Sequence, residues 1–338
     1  MNAKRLREHK PDAKLNKATE ANSKPNLFGR PLDIAQALAG SAPVLRHVLP
    51  GLLEGTVGLV TASGGTGKTM LLTQLAVALA TDTPVCGGLF DEEAGGVSRV
   101  RGARKVVLVA AEEPSAVMTL RLRTAVTPLL PVQSSLLGRE KTHALWEQLR
   151  GNLRIHALAG HRPKLFDANG EPTEAYAQLA MEVADAELII VDPLRQLHDG
   201  DENSSGYMTT VMAALQALVA NRPCAMLVAH HASQAATLNG YADHASASRG
   251  TTAITDAVRW QLNLSRPSPD WLRQQGCPHA APGTLLRVDL AKSNYVQPMP
   301  GRLLVRGLGG HLTVLPARQS NATAPRPTQA PWRNKRRG

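Results

Sequence analysis

Between Val57 and Ala80 the chain reads VGLVTASGGTGKTMLLTQLAVALA, and no other stretch limits the possible fold so tightly. A β-branched and apolar run, Val57 to Thr61, meets a glycine-rich turn. Lys68 and Thr69 then open a helix, with Leu71, Leu72, Leu75, Ala76 and Leu79 expected on one face. Strand, glycine turn and helix in this order form the layout of a phosphate-binding loop. The turn would aim its backbone N–H groups inward, at a helix N-terminus whose dipole also favours negative charge. Polyphosphate is the expected guest, held by Ser63, Gly64, Gly65, Thr66, Gly67, Lys68, Thr69 and Met70. Lys68 would reach the β/γ-phosphates, and the Thr69 hydroxyl would take one position on Mg²⁺. Where the full pattern has a first glycine, this chain has Ala62. The alternative is a glycine-rich turn that binds nothing.

The second expected pillar is Asp192, which closes the apolar run ELIIVD. An aspartate at the C-terminal tip of a buried strand, downstream of a phosphate loop, can hold the metal ion opposite Thr69. The other reading is a strand-end cap. Hydrolysis also needs a group to orient water, and Glu112 and Glu113 stand at the end of the run KVVLVAA. The pattern does not choose between them, nor exclude a solvated acidic pair. His230 and His231 close a further strand, and adjacent strand residues point to opposite faces, so the two are not expected to share a metal. One could sense the γ-phosphate. Arg249 and Arg259 are surface arginines in a monomer, whereas in a ring one could reach a neighbour's site.

The chain's net charge of +11 is concentrated at its ends. Residues 1–30 carry eight basic and three acidic side chains, residues 316–338 six basic and none acidic, and the interval 31–315 is balanced at 24 of each. We therefore expect a flexible basic extension (1–30), one α/β domain (31–315) and a disordered basic tail (316–338). Such arms are either solubilising or follow phosphates. Three widely spaced cysteines, Cys86, Cys224 and Cys277, form no metal pattern and suit a reduced, cytoplasmic setting. No apolar run of 18 residues occurs, so no membrane span is expected.

Along the chain, Asp33 is expected to cap a short helix ending at Gly40. Strands are expected at 57–61, 105–111, 154–158, 187–192 and 224–230, and helices follow the glycine turn and occupy 114–126, 174–184 and 207–220. Beyond a long loop at 232–249, strands at 258–264, 284–292, 302–307 and 311–315 are expected close together with no helices between them. The fold class is thus α/β, with a mostly parallel central sheet extended by antiparallel C-terminal strands, a RecA-like P-loop core.

Taken together, VLPGLLEGTVG, SGGTGKTMLLTQLA, AEEP, VDPLRQLH, ENSSG, VAHHAS, ASRGTTAITDAVRWQ and AKSNY resemble the RepA-type hexameric replicative helicases of IncQ-type plasmids, members of the RecA-like ATPases. The likeness runs from about Val44 to Val314 in one order, and those relatives also lack the first loop glycine. It implies a homohexameric ring that hydrolyses ATP with Mg²⁺ between subunits and moves 5′ to 3′ on single-stranded DNA. By position, the family's catalytic glutamate falls on Glu112, its metal aspartate on Asp192, its arginine finger on Arg259, a further arginine on Arg121 and its histidine pair on His230 and His231. The loops after Asp192 and His231 take the places of DNA-contacting loops. This chain departs in its longer basic ends and in extra residues near 92–104. Alternatives from other classes are a RecA-like regulatory or recombination ATPase that binds DNA without unwinding, a monomeric small-molecule kinase, and a purely structural DNA-binding protein.

Overall fold

Runs such as VVLVA and LIIVD have no polar face, so they can only be strands covered on both sides. The computed structural model of the chain describes residues 31–90, 102–131, 136–232, 252–297, 299 and 301–315. The chain divides into two units, Met1–Leu45 and Arg46–Gly338. In the first, α1 (Ile34–Ala39) is capped by Asp33, whose carboxylate accepts from the Gln36 N–H at 2.9 Å, and it ends at Gly40.

The second unit opens with a hairpin, β1 (His47–Leu49) and β2 (Leu52–Leu53), which sequence reading did not separate from the approach to the first strand. Then follow β3 (Val57–Ala62), α2 (Lys68–Thr81), β4 (Val106–Ala110), α3 (Ser115–Val126), α4 (Leu136–Asn152) and β5 (Leu153–Ala157). Next come α5 (Glu174–Glu182), β6 (Leu188–Asp192), α6 (Ser205–Val219), β7 (Ala225–His231), α7 (Ala253–Ala257) and β8 (Trp260–Ser265). The last elements are α8 (Pro269–Gln274), β9 (Leu285–Ser293), β10 (Arg302–Arg306) and β11 (Leu312–Val314).

One nine-stranded sheet has the order β11-β10-β9-β8-β3-β7-β6-β4-β5. From β8 to β5 every neighbouring pair is parallel, and from β8 to β11 every pair is antiparallel. The expected fold class is therefore the observed one. Alternate strand residues feed two cores. Val60, Leu108, Ile190 and Leu227 meet the side of α2, α3 and α4, while Leu59, Val107, Ile189 and Val228 meet that of α5, α6 and α7. Each fully buried Val, Leu or Ile contributes roughly 1.5–3 kcal/mol relative to an exposed one. Close approach to the hairpin requires Gly58, since a Cβ there would meet Trp260 at 2.8 Å, Leu52 at 2.9 Å and Leu227 at 3.0 Å.

Three sequence expectations change. The helix after the glycine turn does not have a single apolar face: every residue of α2 except Thr69 is buried, because α3, α4, β11 and the sheet surround it. The C-terminal strands are interrupted by α8, which Ser268 caps by accepting from the Trp271 N–H at 3.2 Å, with Pro269 in the first turn. The 17-residue α4 had no expected counterpart. It buries only Gly138, Thr142, Leu145 and Leu149, a stripe too narrow and too weakly apolar to read as a periodic pattern.

The buried thiols of Cys86 and Cys224 are pushed up to about 12 by burial, and all three cysteines are free. Among the described residues, no helix is long and apolar enough to cross a membrane.

Candidate nucleotide-binding site

The carboxyl ends of β3, β6, β4 and β7 converge on a cavity of about 370 Å³, the usual location of a ligand in an open α/β sheet. Its floor is the loop between β3 and α2. Gly65 (φ 71°) and Gly67 (φ 104°) take left-handed backbone conformations that a side chain would strain, so the loop can curl only with glycine at these positions. A Cβ at Gly64 or Gly65 would meet nothing within 4 Å, so the concave side is open. Ser63, Gly64, Gly65, Gly67, Lys68, Thr69 and Met70 all line the cavity; Thr66 is buried beneath it.

Lys68 Nζ lies 3.4 Å from Asp192 Oδ1, with the two side chains 8% and 3% exposed. Lys68 Nζ and Thr66 Oγ1 are buried without a hydrogen-bond partner. Buried polar atoms are nearly always hydrogen-bonded; among the described residues the Lys68 ammonium has only the Asp192 charge at 3.4 Å and no hydrogen bond, so its N–H donors beside the open glycine loop mark a place for an anionic oxygen. The donor set thus fits polyphosphate. Thr69 and Asp192 supply oxygens on the two sides of the cavity, which suits a magnesium ion completed by phosphate and water. Among the described residues no cluster of three or more His, Cys, Asp or Glu side chains forms a self-sufficient metal cage.

The two glutamates after β4 separate in role. Glu113 accepts from Arg121 Nη2 at 2.6 Å, and this ion pair lines the cavity wall. Glu112 is exposed to the cavity and accepts from Gln196 Nε2 at 2.9 Å, in the 3₁₀ turn after Asp192. A neutral amide steadies the Glu112 carboxylate without neutralising it.

The histidine pair also splits, as strand alternation requires. His231 lines the cavity, and burial, reinforced by the nearby Lys68 charge, lowers its affinity for a proton below the ordinary histidine value. His230 does not line the cavity. Its Nε2 lies 3.1 Å from Glu202 Oε1, and His198 Nε2 lies 3.7 Å from the same oxygen. Burial pushes the Glu202 carboxyl up, but hydrogen bonds and charge from His198 and His230 overcome this and hold it well below the usual carboxylate range.

Arg259 is exposed, bonded to the Asp256 carbonyl at 3.4 Å, and is not among the cavity-lining residues of its own chain. Arg249 lies outside the described residues, as does most of the loop after His231. Sequence reading did not single out Gln196, His198, Glu202 or Arg306. Gln196, Glu202 and Arg306 act through partners 28 to 241 positions away, which no local pattern marks; His198 and Glu202 stand only four apart, but their pairing shows itself only once His230 is brought to the same oxygen.

A second cavity, of about 220 Å³, lies behind α2 among Val77, Ala78, Pro84 and Leu129 and presents no convergent charge.

A protein-family profile described as AAA domain matches residues 24–237, which is more than half of the sequence, and the chain belongs to that family. Among solved structures, it is similar to a DnaB-like replicative helicase, described with its interactions with primase. There the TM-score is 0.54 and the identity 11%, over 83% of this chain and 64% of that one. It is also similar to the ATPase domain of G40P, with TM-score 0.54 and 11% identity over 84% of this chain and 96% of that one. The chain thus spans less than two thirds of the DnaB-like protein. At this identity the likeness is one of fold: the RecA-type sheet with its antiparallel extension.

Proposed function

We propose that this protein is an ATP-dependent DNA helicase or translocase of the RepA type, working as a homohexameric ring on single-stranded DNA during replication of a plasmid or another mobile element. The convergence of Lys68, Asp192 and Glu112 on one glycine-floored cavity carries the ATPase half of this reading. Residues 31–315 form the ATPase domain in this reading, and the basic ends 1–30 and 316–338 are extensions of it. The cytoplasm is its setting.

Within the site, backbone N–H groups of residues 64–67 and the Lys68 ammonium bind and orient the phosphates. Thr69 and Asp192 hold Mg²⁺, which when bound offsets charge on the phosphate oxygens. Glu112, oriented by Gln196, accepts the proton of the attacking water. His231, which lines the cavity, takes the role of sensing the terminal phosphate in this reading, while His230 anchors the same strand end through Glu202. Arg121 fixes Glu113 and adds positive charge to the wall.

The exposure of Arg259 on its own subunit supports a role across a subunit boundary, completing a neighbour's site as the arginine finger. Grip on DNA through phosphates is independent of sequence and weakens with salt. Movement in the 5′ to 3′ direction is part of the proposal.

The deciding experiment measures ATP turnover with and without single-stranded DNA, the mass of the assembled particle, and unwinding of forked duplexes with a single 5′ or 3′ tail. Stimulated turnover by a six-subunit particle that opens the 5′-tailed fork is expected. A lone subunit that hydrolyses no ATP would overturn the proposal. Stimulated turnover without unwinding would assign the protein to the DNA-binding ATPases that do not separate strands. Mixing Lys68→Ala with Arg259→Ala subunits tests the shared site: full DNA-stimulated turnover by Arg259→Ala alone would rule it out.

A further inference from the structure

One wall of the cavity comes from the far end of the chain. Arg306, the last residue of β10, donates from Nη2 to the carbonyl of Thr66 at 2.5 Å and to that of Gly65 at 3.4 Å, contacts spanning some 240 residues. The same nitrogen lies 3.3 Å from where a Cβ on Gly67 would stand. A second clamp holds the hairpin that carries it. The Gln74 amide of α2 accepts from the Leu312 N–H and donates to the Leu312 carbonyl, both at 2.8 Å, which fixes β11 against the phosphate-loop helix.

A loop that curls its N–H groups toward an anion must turn carbonyls the other way, and those oxygens need donors. Arg306 supplies them. Its guanidinium carries five N–H donors in a rigid fork, and the two carbonyl contacts occupy only one nitrogen. Arg306 and Gly310 both line the cavity. The turn that carries Gly310 packs on α3, where a Cβ on Gly309 would meet Thr124 Oγ1 at 2.9 Å, so this part of the cavity wall adjoins the helix that carries Arg121.

We propose that Arg306 is a positioning residue of the nucleotide site. It braces the carbonyl face of the phosphate loop and, with Gly310, lines the cavity that takes the nucleoside triphosphate, so that the loop keeps the curl that binding requires. The proposal deepens the nucleotide-site reading and rests on it.

The test compares full-length wild type with Arg306→Ala and Arg306→Lys. Calorimetry measures the Kd for Mg-ADP, steady-state kinetics give KM and kcat for ATP, and thermal melting reports folding. In Arg306→Ala, Kd and KM are expected to rise about tenfold, equivalent to about 1.4 kcal/mol, with kcat within about threefold of wild type. Arg306→Lys is expected to recover part of the loss, because a point charge can reach one carbonyl but cannot reproduce the fork. Kd and KM within twofold of wild type in both variants would overturn the role of Arg306. So would a fall in kcat with KM unchanged. If Arg306→Ala fails to melt as a folded protein, Arg306→Lys alone decides on the same criteria. Wild type that binds no nucleotide would sink the functional reading itself, and this proposal with it.

Discussion

Lys68 and Asp192 face each other across 3.4 Å at the bottom of the cavity, and both are almost wholly withdrawn from water. The two charges come from elements 124 positions apart in the sequence and meet only because β6 lies two strands from β3. Each partner lowers the cost of burying the other, and removing one leaves an uncompensated buried charge. Lys68→Ala is therefore expected to do two things. It should lower ATP turnover by at least about 10²-fold, the loss typical of removing one preorganised charge-stabilising group. It should also destabilise the fold by about 3–5 kcal/mol through the stranded Asp192. Lys68→Met with Asp192→Asn should recover most of the stability and none of the activity, as urea unfolding and a phosphate-release assay would show.

The carboxylates after β4 are expected to behave differently. Glu112 accepts from the neutral Gln196 amide and faces the cavity, so Glu112→Gln should cut kcat by about 10²–10⁴-fold while nucleotide affinity stays within about threefold. Glu113 is tied up by Arg121. Glu113→Gln should retain most of the turnover and act mainly through loosening of Arg121. Equal losses of kcat in the two variants would contradict this division.

Acid should destabilise the protein through two groups whose signs agree. The Glu202 carboxyl is held below its ordinary value of 4.5, so its stabilisation is complete above that pH and fades as pH falls through the folded-state value. His231 is a base with lowered proton affinity, so the unfolded chain takes up its proton first, and stability declines below the ordinary 6.5. The melting temperature is thus expected to fall in two stages, the first below pH 6.5 and the second below pH 4.5. Glu202→Gln should cost about 1–3 kcal/mol at pH 7, because His198 and His230 exchange a buried carboxylate partner for a neutral amide. It should also flatten the stage below pH 4.5. An unchanged slope there would show that another carboxylate governs it.

Gly58 tests the packing of the hairpin on the sheet. A methyl group at this position would press on Trp260, Leu52 and Leu227 at 3.0 Å or less, and none of the three has free space to retreat into. Gly58→Ala is expected to destabilise by about 1–3 kcal/mol, measurable as a lower urea midpoint with unchanged slope.

The local code of the chain determined a good deal by itself. The alternation of two cores along β3, β4, β6 and β7, the left-handed positions at Gly65 and Gly67, and the placing of Lys68, Thr69 and Asp192 at strand and helix ends follow from residue type and spacing. Their causes, steric, electrostatic and hydrophobic, act over a few neighbouring residues. Strand alternation likewise required that only one of His230 and His231 face the cavity, but could not say which.

Tertiary structure alone decided the rest. It chose His231 for the cavity and Glu202 as the partner of His230, and it paired Glu113 with Arg121 and left Glu112 to Gln196. It brought Arg306 against the carbonyls of the phosphate loop and buried α2 on every side. It also kept α4 helical with a narrow apolar stripe, since packing against α2 supplies what the sequence pattern lacks. Apart from the nearer Glu113–Arg121 pair, these groups are 28 to 240 positions apart along the chain and interact only after the sheet has set its strand order. That order is a collective outcome of burying two cores at once, and no window of the sequence contains it.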